Sequence, residues 1–133
     1  MTTSELRPPG PLAVVGLGAL GLPMAINLSA AGYRLRVHSR SRSPERDPAL
    51  HQGNTTAAAV CCASPADAAS DCQALLLCVS DDAAVEAVLW GEGGAGPALA
   101  AGSVVIDCST ISPASSQAMA QRLAERGVAY LDA

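Results

Sequence analysis

Residues 12–21 read Leu-Ala-Val-Val-Gly-Leu-Gly-Ala-Leu-Gly, a short apolar run followed at once by glycines in the spacing G-x-G-x-x-G. The apolar run predicts a buried strand, and the residues after it have helical character. In a strand–turn–helix unit, Gly16 allows the tight turn, Gly18 lets the backbone approach a pyrophosphate, and Gly21 lets the helix pack against the strand. The N–H groups and positive dipole end of such a helix bind phosphate. The stretch therefore predicts a dinucleotide site; the alternative is a glycine-rich turn in a chain rich in alanine and glycine.

Short apolar runs alternate with helix-like stretches along the whole chain, which is the pattern of β-α-β units and a parallel sheet. The predicted strands are 12–15, 34–38, 60–62, 74–79, 103–107 and 128–132. The predicted helices are 19–31, 65–70, 81–90 and 113–126, the last with Ser112 as its N-cap and Pro113 at its first position. Residues 1–11 contain three prolines and lack the apolar core of a signal peptide, so we expect a disordered leader there. The predicted fold class is α/β, one domain over residues 12–133 with a doubly wound parallel sheet.

The composition excludes several classes of partner. The net charge of the 133 residues is −4, which argues against nucleic acid or an anionic membrane as a partner. No stretch approaches the roughly 18 apolar residues that a membrane span requires. Half of the residues are hydrophobic but none is Phe, so the core has to be built from Ala, Val, Leu and Ile.

The five cysteines form no C-x-x-C pair and have no metal-ligand spacing, so no metal site is predicted. An odd number without a secretory signal indicates reduced thiols in a cytoplasmic compartment. Cys78 and Cys108 lie in apolar runs and are predicted to be small buried hydrophobic residues. Cys61 and Cys62 would face opposite ways on a strand, which counts against a zinc site.

Three blocks of sequence carry a family resemblance. Residues 15–28, Val-Gly-Leu-Gly-Ala-Leu-Gly-Leu-Pro-Met-Ala-Ile-Asn-Leu, resemble the opening signature of the β-hydroxyacid dehydrogenases, with Leu20 in place of the usual Met. Residues 106–113, Ile-Asp-Cys-Ser-Thr-Ile-Ser-Pro, look like the family's D-x-S-T-x-x-P segment, and residues 127–133 look like the approach to its substrate motif. The blocks follow the family's order and span about residues 12–133. The resemblance implies a Rossmann-type domain of an oxidoreductase that interconverts a small hydroxyacid and its oxo acid or semialdehyde by hydride transfer.

The end of the second predicted strand indicates which dinucleotide is bound. An NAD-binding domain of this kind places an Asp or Glu about 20 residues past the glycines, on the ribose 2′-hydroxyl. Here Ser39, Arg40 and Ser41 occupy that place, and no acid occurs before Glu45. Arg40 can pair with a 2′-phosphate, and the serines can donate hydrogen bonds to it. The resemblance agrees, since NADPH-using members carry Asn-Arg-Ser/Thr at this place. NADP(H) is therefore predicted over NAD(H), and His38 is predicted to be a strand-end residue near the adenine.

The segment 41–59 departs from the family pattern. Where the family has a helix, Pro48 and Gly53 would break one. Whether this segment forms an intact adenine site is left open by the residues alone. The alternative to a phosphate contact is a solvated loop face formed by Arg40, Arg42 and Arg46.

Matching the remaining blocks to the family suggests that Val79 and Ser80 line the cofactor, that Thr110 lies near the nicotinamide and that Ser109 faces the substrate. The predicted cofactor-binding residues are then Gly16, Leu17, Gly18, Ala19, Leu20, Gly21, Ser39, Arg40, Ser41, Val79, Ser80 and Thr110. Alternatives exist for the last block. Ser80 with Asp81 and Asp82 makes a good N-terminal cap for the next helix, and Ser109 and Thr110 could simply satisfy loop backbone.

The resemblance also shows what the sequence lacks. In the family a Lys in a G-x-x-G-x-G-x-x-x-K-x-x-x-N segment acts as the general acid, and this sequence contains no Lys. His38 and His51 lie on the adenine half, so no catalytic residue is predicted. We expect an isolated cofactor domain without the family's C-terminal helical domain, inactive by itself. The alternative is a complete, non-catalytic nucleotide-binding module or a degenerate remnant.

Overall fold

A computed structural model of the protein describes residues 10–51 and 59–133. Residues 1–9 of the predicted leader lie outside the described residues. Gly10 and Pro11, the last two of that segment, are held by Gln73, whose side-chain amide donates to the Gly10 carbonyl at 3.2 Å and whose backbone N–H donates to the Pro11 carbonyl at 2.9 Å.

The described residues form one parallel sheet. Its strands are β1 (Leu12–Val15), β2 (Leu35–His38), β3 (Val60–Cys61), β4 (Ala74–Leu77), β5 (Val104–Asp107) and β6 (Ala129–Asp132). They lie in the order β3-β2-β1-β4-β5-β6, and every neighbouring pair is parallel. The order reverses direction between β1 and β4, and ligands of such sheets bind in the crevice beyond the carboxyl ends of the strands at that point. The predicted Rossmann-type fold is confirmed.

Within the described residues, four α-helices lie between the strands. They are α1 (Gly21–Ala30), α2 (Pro65–Ala69), α3 (Asp82–Trp90) and α4 (Pro113–Ala124). The predicted start of α4 is confirmed, because Ser112 accepts from the N–H of Ser115 and Pro113 occupies the first turn. Within 41–51 the chain forms only two short 3-10 helices, Pro44–Arg46 and Pro48–His51, so the predicted break at Pro48 is confirmed, whereas Gly53 lies outside the described residues.

Both faces of the sheet are covered by aliphatic side chains, as the composition requires. On one face, strand residues such as Val15 and Leu77 pack with Val85 and Leu89 of α3 and Leu123 of α4. The other face packs against α1 and a 3-10 helix, and its buried members include Val14, Leu35, Val37, Ala25 and Leu50. Each fully buried Val or Leu side chain stabilises the folded state by roughly 1.5–3 kcal/mol relative to leaving it exposed to water. The packing on both faces holds the strands in place, and the crevice lies at their carboxyl ends.

In the part of the chain that the structure describes, no helix has the length and apolar character needed to cross a membrane.

Candidate functional site

A cavity of about 730 Å³ opens at the carboxyl ends of β1, β2, β4 and β5. Val15, Gly16, Leu17, Gly18, Ala19 and Leu20 line its centre. What we call the β2 side is lined by His38, Ser39, Arg40, Ser41 and Pro44. What we call the β5 side is lined by Cys78, Val79, Ser80, Cys108 and Thr110. Eleven of the twelve predicted cofactor-binding residues thus line one cavity; the exception is Gly21.

The glycine turn has the geometry that its spacing predicts. Gly16 has a φ of +98°, and a Cβ there would collide with the carbonyl of Cys78. A Cβ on Gly21 would collide with the carbonyl of Gly16, so this glycine serves the close packing of helix on turn and lies behind the cavity lining. Gly18 lines the cavity, and a Cβ there would meet no atom within 4 Å. The surface at Gly18 is therefore open to a ligand.

The N-terminus of α1 differs from those of the other helices. Ser64, Asp81 and Ser112 cap α2, α3 and α4 with side-chain hydrogen bonds. At α1 the N-cap position is Leu20, and no side chain makes a capping hydrogen bond. The first N–H groups of a helix have no partner within it, and here Ala19 and Leu20 line the cavity. The uncapped turn and the open surface at Gly18 fit the phosphates of a dinucleotide.

On the β2 side, the three arginines have different environments. Arg42 donates to the carbonyl of Cys62 at 2.9 Å and more weakly to that of Ala63 at 3.4 Å. Arg40 is exposed, lines the cavity, and makes no side-chain hydrogen bond or ion pair with any residue that the structure describes. Arg46 is exposed outside the cavity lining. The structure therefore leaves the guanidinium of Arg40 available to a ligand at the end of β2.

The remaining residues of the β2 side are less accessible. Ser39 is only 3% exposed although it borders the cavity. The Nδ1 atom of His38 lies 3.1 Å from the carbonyl oxygen of Cys62. His38 thus lies at the strand end, within the cavity wall, where the sequence predicted it.

On the β5 side, an aspartate and not Ser80 caps α3. Asp81 accepts from the N–H of Ala84 at 2.9 Å and is the N-cap of α3. The carboxylate of Asp82 accepts from the N–H and the hydroxyl of Ser112, each at 2.9 Å, and these hydrogen bonds lower the pKa of Asp82. Ser80 is exposed and borders the cavity, as does Thr110. Both side chains are therefore accessible to a ligand.

Ser109 was predicted to face the substrate, but it does not border the cavity. It is 6% exposed and absent from the lining, and its hydroxyl accepts from the N–H of Val79 at 3.0 Å. The alternative, in which Ser109 satisfies loop backbone, describes it correctly, because the N–H of Val79 in the β4 loop would otherwise have no acceptor.

The sequence also misjudged two cysteines. Cys78 and Cys108, predicted to be buried, are half-buried and line the β5 side, because each follows the last residue of a buried strand where the sheet opens. The Sγ atom of Cys78 lies 3.9 Å from the Sδ atom of Met24, and burial raises the pKa of Cys78 to about 12. Their position directly after β4 and β5 is the feature of the sequence that could have predicted this exposure. Cys61 and Cys62 face opposite ways, one exposed and one buried, as expected.

Further lining residues had no signal in the sequence. They are Pro44, Pro65, Ala84, Ala87 and Val88, which approach the cavity from loops and helices only when the chain folds. Within residues 10–51 and 59–133, no group of three His, Cys, Asp or Glu side chains could hold a metal ion.

This geometry agrees with what comparison with known proteins shows. The family described as the NAD binding domain of 6-phosphogluconate dehydrogenase matches residues 11–133. The chain belongs to this family. As an NAD-binding domain it has relatives among hydroxyacid and semialdehyde oxidoreductases, and the resemblance seen in the sequence is confirmed.

Two of these relatives are the L-threonate dehydrogenase of Cupriavidus necator and the 2-hydroxy-3-oxopropionate reductase of Escherichia coli. Each is 39% identical to this domain over 122 residues, which is 92% of this chain and 39% of the relative. The chain thus spans about two-fifths of the length of these curated relatives. A solved structure described as Psf3 in complex with NADP+ and 2-OPP superimposes with a TM-score of 0.78 at 27% identity, over 90% of this chain and 40% of that one.

Proposed function

We propose that this NAD(P)-binding domain prefers NADP(H) to NAD(H) and serves an oxidoreductase that interconverts a small hydroxyacid and its oxo acid or semialdehyde. The observation that carries the preference is Arg40, which borders the cavity at the end of β2 without a described partner. The described lining contains no Asp or Glu to bind a ribose 2′-hydroxyl or to repel a 2′-phosphate.

The residues present fit the two charged parts of NADP(H). The uncapped N-terminus of α1 and the open surface at Gly18 would hold the pyrophosphate. Arg40 would pair with the 2′-phosphate, with Ser41 beside it as a donor. A guanidinium suits this role because its N–H groups match phosphate oxygens and its charge persists at any physiological pH.

The β5 side would then receive the nicotinamide. Val79, Ser80 and Thr110 border that part of the cavity, and the hydroxyl of Ser80 is not used as a helix cap because Asp81 caps α3. When bound, NADP(H) supplies or accepts the hydride; the residues of this domain bind and orient it.

The complete reaction belongs to the proposal as well. The sequence has no Lys, and Lys is the general acid that the family resemblance implies. We therefore infer that these 133 residues bind cofactor without reducing a substrate by themselves. L-threonate and 2-hydroxy-3-oxopropionate, the compounds that appear in the names of the two relatives, are the first substrates to assay. NADPH oxidation with 2-hydroxy-3-oxopropionate would contradict the inference of inactivity.

A cytoplasmic location is a further part of the proposal. Cys72, Cys78 and Cys108 form no disulfide bond, and reduced thiols are typical of a reducing compartment.

The test is calorimetric titration of NADPH and NADH into the wild-type chain and into Arg40→Ala. We expect NADPH to bind more tightly, and Arg40→Ala to lower its affinity by about 10–100-fold, because charge-assisted hydrogen bonds contribute roughly 1.5–3 kcal/mol. The affinity for NADH should stay nearly unchanged. Arg34→Ala is the matched control, since Arg34 is exposed just before β2, at the opposite end of the strand.

Equal affinity of the wild type for both dinucleotides would overturn the assignment of Arg40 and leave the fold intact. A loss of NADPH affinity as large in Arg34→Ala as in Arg40→Ala would show an effect of net charge and no specific contact. Binding of neither dinucleotide would overturn the proposal of a competent cofactor site in these residues.

A further inference from the structure

A buried carboxylate lies directly behind the β5 side of the cavity. Asp107, the last residue of β5, has no exposed surface, and no described cation forms an ion pair with it. Removing an ionised carboxylate from water is costly unless its oxygens accept good hydrogen bonds. The hydrogen bonds that Asp107 accepts therefore have to offset the cost of its burial.

Each oxygen of this carboxylate has its own donor. The hydroxyl of Tyr130, on β6, donates to Oδ2 at 2.7 Å, and the N–H of Ser109 donates to Oδ1 at 2.9 Å. Burial and the hydrogen bond to Asp107 raise the pKa of Tyr130, so its hydroxyl stays protonated and continues to donate. Asp107 thus fixes the backbone of Ser109 from one side and is itself fixed by β6 from the other.

Ser109 connects Asp107 to the backbone that borders the cavity. Its hydroxyl accepts from the N–H of Val79 at 3.0 Å. Val79 and Ser80 border the cavity, whereas Ser109 and Asp107 do not. A chain of hydrogen bonds therefore runs from β6 through β5 to Val79, which together with Cys78 and Ser80 follows β4 and borders the β5 side of the cavity.

We propose that Asp107 is a positioning residue for the nicotinamide end of the cofactor, acting through Ser109 on the backbone of Val79 and Ser80, with Tyr130 holding its second oxygen. This inference rests on the proposed function, because it assumes that the β5 side receives the nicotinamide.

The experiment compares two ligands that share the adenine end. In the proposed binding mode NADP+ would contact both sides of the cavity, whereas adenosine 2′,5′-bisphosphate lacks the nicotinamide. Both are titrated calorimetrically into the wild type, Ser109→Ala, Asp107→Asn and Tyr130→Phe. Ser103→Ala is the matched control, because Ser103 is also buried but bonds locally to the carbonyl of Ala100, at the opposite end of β5.

We expect Ser109→Ala and Asp107→Asn to weaken NADP+ binding by about tenfold, the effect of one lost hydrogen bond of roughly 1–1.5 kcal/mol. Tyr130→Phe should weaken it by about threefold, since the hydrogen bond that the N–H of Ser109 donates to Asp107 survives. Adenosine 2′,5′-bisphosphate should bind all variants as it binds the wild type. A role confined to stability would not separate the two ligands.

Equal losses for both ligands, or unchanged NADP+ binding, would overturn the positioning role alone. Failure of the wild type to bind either ligand would overturn the proposed function and the positioning role with it. Should Ser109→Ala or Asp107→Asn not fold, amide exchange of Val79 measured by NMR decides the matter. The N–H of Val79 should exchange slowly in the wild type and faster in Tyr130→Phe; fast exchange in the wild type would overturn the inference.

Discussion

The two sides of the cavity are held in place by different kinds of contact. On the β5 side, the loop backbone is fixed by side chains on β5 and β6, through Ser109, Asp107 and Tyr130. On the β2 side, the wall consists of the end of β2 and the loop that follows it as far as Pro44, and Arg42 in that loop donates to the carbonyls of Cys62 and Ala63. The first arrangement is buried and the second is largely exposed. The β5 side is therefore suited to hold one geometry, and the β2 side to present a charge.

The largest effect should come from the glycine turn, which both sides share. Gly16→Ala places a Cβ against the carbonyl of Cys78 in a left-handed conformation, and we expect it to lower the free energy of unfolding by about 2–4 kcal/mol. Gly18→Ala has open space and no positive φ, so its stability should change by less than about 0.5 kcal/mol. Its Cβ would instead obstruct the dinucleotide, weakening binding by roughly tenfold or more.

Urea unfolding and calorimetric titration of the two variants measure these effects. Equal stability of Gly16→Ala and the wild type would contradict the turn geometry. Undiminished binding by Gly18→Ala would mean that the pyrophosphate does not approach this glycine, and the distinction between a shared centre and two sides would fail.

An intermediate effect should come from Arg42, and it sharpens the description of the β2 side. Arg42→Ala removes the bonds to two carbonyls and should lower the free energy of unfolding by about 1 kcal/mol. Because Arg42 is already occupied, affinities for NADPH and NADH should fall together, by about threefold, and their ratio should not change. A change of that ratio as large as in Arg40→Ala would place the phosphate contact on Arg42.

The smallest effect should be a dependence on acid pH near the β5 side. Hydrogen bonds from Ser112 lower the pKa of Asp82 in the folded protein. A carboxyl of this kind stabilises the fold fully above its unfolded pKa of about 3.9, and the contribution is lost as the pH falls through the lower, folded pKa. The Tm of the wild type should therefore fall more steeply below about pH 4 than that of Asp82→Asn.

Thermal unfolding followed by circular dichroism from neutral to acid pH tests this difference. Glu92→Gln, which removes one charge from an exposed residue elsewhere, is the matched control and should follow the wild type. Parallel curves for the wild type and Asp82→Asn would show that the link between α3 and α4 does not depend on ionisation.

The sequence predicted the fold well because its signals are local. The glycine spacing at 16–21, the apolar runs and the cap at Ser112 each depend on residues a few positions apart, and together they specify β-α-β units whose strands can pair only in parallel. Parallel pairing places the carboxyl ends of the strands at the same edge of the sheet. For this reason most of the residues that were expected in one site line one cavity.

Single side chains at those strand ends could not be predicted in the same way. The hydroxyl of Ser109 accepts from the N–H of Val79, which lies 30 residues earlier in the chain, at the end of the neighbouring strand. The exposure of Cys78 likewise depends on how β4 and β5 end beside each other in the folded sheet. Arg40 and Arg42 look alike in the sequence, and only the position of β3 beside β2 gives Arg42 carbonyls to bind. The sequence alone determined the order of strands, turns and helices, since these follow from the preferences of neighbouring residues. The tertiary structure decided which polar groups remain available to a ligand, because that depends on which distant donors and acceptors the folded sheet brings within about 3 Å.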